Sequence, residues 1–124
     1  MAGSPALTVD VVLRSGSSAR VRLVGEIDFC TVDELRRILQ QLLDSGHTRL
    51  TLDVAEVTFC DSSGLGVLVS TRAGAERRGG RLTLDGTQGQ LARLMRTTGL
   101  EILFGPAPAG SGDLASAGDV ADAG

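Results

Sequence analysis

The step Asp61-Ser62-Ser63-Gly64 carries the side chains best placed to do chemistry in this 124-residue chain. An apolar strand pattern ends at Cys60, and a helix-like pattern begins directly after the step. Serine hydroxyls at a helix N-terminus lie beside backbone N–H groups without intrahelical partners and near the positive end of the helix dipole. Such a site can cap the helix, receive an anion, or carry a phosphoryl group on a serine. The residues alone leave all three open.

Other chemistries fit less well. A hydrolase nucleophile elbow needs Gly-x-Ser-x-Gly, but Cys60 stands two before Ser62 and Asp61 two before Ser63. An activated serine also needs a base, and the single histidine, His47, precedes the strand expected over 49–54. Asp61 lies beyond the opposite end of that strand, and at ~3.3 Å per residue the two ends are about 20–30 Å apart along the chain. A P-loop needs a lysine after its second glycine, and the chain has none. The Gly64-Leu65-Gly66 step lacks the third glycine of a dinucleotide fingerprint, since Val69 stands there. Gly64 and Gly66 are expected to allow close approach of helix and sheet. Asp28, Asp53 and Asp61 could meet as a carboxylate cluster, but with no further ligands the expectation is caps or solvated groups, and no metal site. Cys30 and Cys60 are thirty residues apart with no CxxC; two buried, reduced thiols are expected.

The elements that must position this step read as one domain. Leu7, Val9, Val11 and Leu13 alternate along a first strand, and Ala19, Val21 and Leu23 along a second, joined by Ser15-Gly16-Ser17-Ser18. The second strand closes at Gly25-Glu26-Ile27-Asp28. Thr31 with Glu34 has capping-box spacing, and Leu35, Ile38, Leu39 and Leu42 make one apolar helix face. A third strand follows over 49–54, then a helix over roughly 63–78 stopped by Gly79-Gly80. Leu82 and Leu84 mark a short strand, Leu91 to Thr98 a third helix, and Leu100 to Phe104 a last short strand. The expected order β-β-α-β-α-β-α-β calls for an α/β fold with a mixed sheet and βα crossovers. Residues 105–124, rich in Gly, Ala, Pro, Ser and Asp, read as a flexible tail.

Composition narrows the partners. Aromatics make up 2% of the chain against 42% hydrophobic residues, so Leu, Val, Ile and Ala must build the core. All 12 basic residues are Arg, and the net charge is −3. Three of the 15 acids, Asp113, Asp119 and Asp122, lie in the tail, which leaves residues 1–104 with 12 acidic and 12 basic groups. Arg36-Arg37 and Arg77-Arg78 are isolated pairs, so direct nucleic-acid binding is not expected. No apolar run approaches the ~18–20 residues of a membrane span, and no signal peptide is visible; the expected compartment is the cytoplasm.

The run Phe59-Cys60-Asp61-Ser62-Ser63-Gly64-Leu65-Gly66-Val67, preceded by Gly25-Glu26-Ile27-Asp28 and Thr31, resembles the STAS-domain anti-anti-sigma factors, or anti-sigma factor antagonists. The resemblance spans about residues 6–104, so 1–104 is taken as the STAS domain. It implies a regulatory binding protein, not an enzyme, with no cofactor. The unphosphorylated form would capture a serine-kinase anti-sigma factor and free a sigma factor. The kinase would phosphorylate the first serine of the step, here Ser62, and a PP2C-like phosphatase would reverse it. Ser63 would be a helix-capping neighbour, Asp61 would shape the acceptor loop, and Gly25, Glu26, Ile27 and Asp28 would add a neighbouring part of the partner surface. Asp61, Ser62, Ser63, Gly64 and Leu65 are expected in that partner surface too, and the helix dipole with free N–H groups near Gly64 and Leu65 is expected to accommodate the phosphate. Cys60 departs from the family pattern, where a larger apolar residue such as Met is expected. The rival readings are a STAS scaffold, sensor or ligand-binding module, and a small enzyme using Ser62 as nucleophile.

Overall fold

The computed structural model describes residues 6–104; the reading of 105–124 as a flexible tail lies outside the described residues. Two long strands come first, β1 (Leu7–Ser15) and β2 (Ser18–Ile27), paired antiparallel through a tight turn in which Gly16 takes φ 57°. Helix α1 (Val32–Asp44) then carries the chain to β3 (Arg49–Cys60), and α2 (Ser62–Arg77) carries it to β4 (Arg81–Asp85). Both crossovers produce parallel neighbours, so the sheet order β1-β2-β3-β4 is mixed, with the one antiparallel pair at its edge. Helix α3 (Gly89–Thr98) and a single turn, α4 (Glu101–Phe104), complete the chain.

Alternation along the strands makes one sheet face apolar. Val21 and Leu23 of β2, Leu50, Leu52 and Val54 of β3, and Leu82 and Leu84 of β4 are all buried beneath the helices. From above, α1 contributes Leu35, Leu39, Leu42 and Leu43, and α2 contributes Leu65, Val67 and Leu68. The opposite face carries charge: Arg20 bonds Asp85 at 2.7 Å and lies 3.6 Å from Asp53, and Arg22 pairs with Glu56. Asp53 therefore belongs to this solvated ladder and not to a cluster with Asp28 and Asp61.

Three local expectations are corrected. Leu100 to Phe104 is not a strand: Gly99 turns left-handed at φ 77°, and Glu101–Phe104 form one helical turn. Of those four side chains only Phe104 is buried, which suits one contact per turn and not an alternating strand face. Thr31 precedes α1 without capping it, because its backbone is already helical (φ −110°, ψ −14°). Its hydroxyl instead accepts the Asp28 N–H at 2.9 Å and donates back to the Glu26 carbonyl at 3.1 Å, while Glu34 pairs with Arg37. Of the two glycines in the Gly64-Leu65-Gly66 step, only Gly64 is a close approach: a Cβ there would sit 2.6 Å from both Cys60 Sγ and Ile27 Cγ2, whereas Gly66 faces open space.

Gly25, near the end of β2, is under a sharper constraint. Its φ is +118°, and a Cβ would stand 2.1 Å from the Ala6 carbonyl oxygen, which accepts the Glu26 N–H at 2.7 Å. Neither the backbone angle nor the neighbouring main chain can yield cheaply. Gly25→Ala is expected to destabilise the fold by about 1–3 kcal/mol, read as a lower urea midpoint at unchanged m-value; an unchanged midpoint would contradict this packing.

Candidate functional site

Parallel pairing of β2 with β3 decides where the site lies. Glu26 faces Phe59 and Ile27 faces Cys60 in register, and the Asp61 N–H continues the pairing by donating to the Ile27 carbonyl at 3.1 Å. The loop after β2 and the loop after β3 thus leave the sheet side by side, beyond the carboxyl ends of adjacent parallel strands, where open α/β sheets place their functional groups. The two sequence segments expected to cooperate, Gly25 to Asp28 and Asp61 to Leu65, are brought together here.

Asp61 is the N-cap of α2. Its backbone is extended (φ −104°, ψ −173°), and its Oδ1 accepts the Gly64 N–H at 3.1 Å and the Ser63 hydroxyl at 2.5 Å. The Ser63 hydroxyl, helped by the amides of Gly64, Ser63 and Phe29, holds the carboxyl below its ordinary range even though desolvation opposes it. Capping therefore falls to the aspartate, with Ser63 bracing it. The resemblance implies Ser63 as a helix-capping neighbour; its hydroxyl lies beside the cap and donates to the Asp61 carboxylate.

This leaves Ser62 as the outward-facing hydroxyl. It is the first residue of α2 and is exposed, and among the described residues its hydroxyl makes no side-chain hydrogen bond. The amides of Gly64 and Leu65 are not free as expected: the first donates to the Asp61 carboxylate and the second to the Asp61 carbonyl at 3.1 Å. A phosphoryl group on Ser62 would therefore face water beside the Asp61 carboxylate instead of settling onto those two donors. His47 sits in the turn before β3, at the far end of that strand from Ser62.

The other candidate residues divide by exposure. Glu26 is exposed, and Asp28, Asp61 and Ser63 are half-buried. Ile27, Gly64 and Leu65 are buried, so they hold the surface from beneath and cannot present side chains to a partner. Gly25 serves the strand end, as its contact with Ala6 requires. Asp28 organises its own loop: Oδ1 accepts the Cys30 N–H at 2.9 Å, and its carbonyl accepts the N–H groups of Thr31 and Val32.

Three residues at this edge were missed from sequence. Phe29 is 75% exposed and Phe59 40% exposed, two of only three phenylalanines in the chain. Their signal was present: Phe29 lies outside any periodic segment, next to an Asx-type turn, and Phe59 is out of phase with the buried Cys60. Gln90, the third, bonds the backbone of Cys60, and no local pattern announces such a contact.

The thiols also differ from expectation. Cys60 is fully buried, but Cys30 is exposed because it sits in the loop that Asp28 turns outward. Burial, with a smaller push from Asp61, raises the Cys60 thiol to about 12. No group of three or more His, Cys, Asp or Glu side chains converges as a metal site among the described residues.

Two outcomes follow from this geometry. Asp61→Ala is expected to cost about 0.5–2 kcal/mol through loss of the cap. Because the folded carboxyl is held low, the wild type should keep this stability above about pH 4 and lose it as the pH falls further, whereas the alanine variant should lack that acid-dependent component. A pH series of urea midpoints for both proteins reads the difference. In native protein a thiol reagent such as DTNB should titrate Cys30 rapidly and reach Cys60 only on unfolding; simultaneous reaction of both would contradict the burial of Cys60.

Comparison with known proteins agrees with the geometry. Residues 11–105 match the family described as Mlab, STAS domain. The chain is 35% identical over 95 residues to the anti-sigma-B factor antagonist of Bacillus subtilis (strain 168), covering 77% of this chain and 85% of that protein. The crystal structure of an anti-sigma factor antagonist from Mycobacterium paratuberculosis superposes with a TM-score of 0.73 at 25% identity, covering 86% of this chain and 91% of that one. The fold also matches the Bacillus cell fate determinant SpoIIAA in its phosphorylated form, with a TM-score of 0.64 at 22% identity and coverage of 86% and 96%. No helix among the described residues is long and apolar enough to cross a membrane. With the Asp-Ser-Ser-Gly turn, the paired loops and the mixed sheet in place, the chain belongs to the STAS-domain family of anti-sigma factor antagonists.

Proposed function

We propose that this protein is a partner switch: its unphosphorylated form binds a serine-kinase anti-sigma factor, so that a sigma factor is released, and phosphorylation of Ser62 by that kinase reverses the binding. A PP2C-like phosphatase resets it. The protein acts by binding, without turnover of a substrate of its own, and works in the cytoplasm.

The single observation that best supports this reading is the division of labour at the turn. Asp61 and Ser63 are committed to the cap, while Ser62 stands exposed on the first turn of α2 with its hydroxyl uncommitted. A kinase can reach that oxygen without opening the core. The partner docks over Glu26, Asp28, Asp61, Ser62 and Ser63, with Phe29 and Phe59 offering apolar contact beside them. Gly25, Ile27, Gly64 and Leu65 keep this surface in place from below.

Phosphorylation adds about −1.5 to −2 charges at neutral pH. On the free protein this anion is tolerated, because it faces solvent near the positive end of α2. In the complex it would be desolvated next to the Asp61 carboxylate, where like charge and bulk both oppose docking. A hundredfold loss of affinity requires only about 2.8 kcal/mol.

Incubation with ATP and the kinase that the wild type captures should add about 80 Da, one phosphoryl group, to Ser62 and nothing to Ser62→Ala. Ser62→Glu should fold with stability within about 0.5 kcal/mol of wild type and bind the kinase at least about a hundredfold more weakly. Full affinity of the folded Ser62→Glu protein, or modification at another residue, would overturn the proposal.

A further inference from the structure

Strand β3 outruns its neighbour. Its last partner on β4 is Asp53, opposite Asp85, yet β3 continues to Cys60 with β2 on its other side. An unpaired strand edge leaves backbone N–H and C=O groups open, and here that edge leads straight into the Asp61–Ser62 turn. Two glutamines at the start of α3 occupy it. Gln88 Nε2 donates to the Ala55 carbonyl at 2.7 Å. Gln90 makes a paired contact: its Oε1 accepts the Cys60 N–H at 2.8 Å, and its Nε2 donates to the Cys60 carbonyl at 2.8 Å.

A primary amide that satisfies both polar groups of one residue does what a further parallel strand would do. Among the described residues only Cys60 receives this treatment, and Cys60 immediately precedes the cap residue. On the opposite flank Cys60 is in register with Ile27, and the next amide, of Asp61, bonds the Ile27 carbonyl. The peptide before the turn is thereby fixed from both sides. The β2 side is ordinary sheet, but the α3 side depends on one side chain. Gln90 is itself half-buried and reaches the turn from a helix that contributes no residue to the docking surface.

We infer that Gln90 is a positioning residue for the phosphoacceptor: by clamping both backbone polar groups of Cys60 it sets where Asp61 turns the chain, and so where the Ser62 hydroxyl is presented to the kinase. This rests on the reading of Ser62 as the phosphoacceptor. Gln90 touches neither the hydroxyl nor the partner; it acts through the Cys60 peptide. Phosphoryl transfer is sensitive to such placement, because a displacement of about 1 Å in a reacting group can cost on the order of a hundredfold in rate.

The test compares wild type, Gln90→Met and Gln90→Glu in single-turnover phosphorylation by the captured kinase, with amide hydrogen exchange on the same proteins. Met keeps the length of the side chain and removes both hydrogen bonds. Glu keeps the acceptor for the Cys60 N–H and sets a carboxylate against the Cys60 carbonyl, so it reports even if the Met variant folds poorly. The expected result is a maximal transfer rate on Ser62 lowered about tenfold or more in Gln90→Met and by less in Gln90→Glu, with the half-saturating kinase concentration changed by less than about threefold. Amide exchange at Cys60 and Asp61 should accelerate while that of Leu52 and Val54 stays at the wild-type rate. Wild-type transfer rates in both folded variants, or a loss confined to the half-saturating concentration, would overturn the role of Gln90 while leaving Ser62 as phosphoacceptor. Absence of phosphorylation on Ser62 in the wild type would remove the reading of Ser62 itself, and the role of Gln90 with it.

Discussion

The Asp61 carboxylate is the interaction on which the rest of this surface depends. It closes the helix N-terminus through Gly64, ties down the Ser63 hydroxyl, and does so from the residue whose N–H prolongs the β2–β3 pairing. One side chain thereby joins sheet, loop and helix. Had a serine taken the cap, its hydroxyl would have been spent on the helix, and modifying it would have removed a structural bond. With the aspartate in that place, the exposed Ser62 hydroxyl makes no side-chain hydrogen bond among the described residues. A group can be added to it without withdrawing anything from the fold.

Beneath the turn the packing is unforgiving. Gly64 lies so close to Cys60 and Ile27 that no side chain fits, and all three are buried. Cys60 is smaller than the residue expected in the family pattern, and its protonated thiol rests 3.4 Å from the Asp61 carbonyl. Small residues let α2 begin directly on the sheet, so the turn is short and its geometry fixed. The neighbouring loop is held with equal economy by Asp28 and Thr31, whose side-chain bonds run within Glu26–Thr31. Short local bonds thus hold the patch around the exposed Ser62 hydroxyl, an arrangement that suits the proposed control by charge more than control by a change of shape.

Much of this was legible in the sequence because periodicity reports burial. The alternation in β1 to β4 and the apolar stripe of α1 reflect a one-sided core, and two strands followed by helices imply parallel neighbours whose loops emerge together. What escaped was decided by contacts that periodicity does not encode. Leu100 to Phe104 is too short and too apolar for strand and helix to differ in pattern. Thr31 and Glu34 have capping spacing, but the backbone at Thr31 turns helical one residue early, and the hydroxyl serves the preceding loop. Cys30 is carried outward by an Asx turn at Asp28 that has no apolar signature. At the Asp61–Ser63 turn Asp, Ser and Ser are all acceptable caps, and only the geometry assigns the bond to Asp61. Gln90, thirty residues from Cys60, reads locally as an ordinary polar residue near a helix start.

Under the proposed switch, charging Ser62 alters what can dock and leaves the fold as it was. Amide hydrogen exchange along the whole chain, measured on the unphosphorylated and the Ser62-phosphorylated protein in the absence of any partner, tests it most directly. Equal protection is expected in β2, β3 and the body of α2, with changes confined to the amides flanking Ser62. Accelerated exchange through Leu52, Val54 and Leu68 on phosphorylation would mean that the added charge works by loosening the core, and would contradict it.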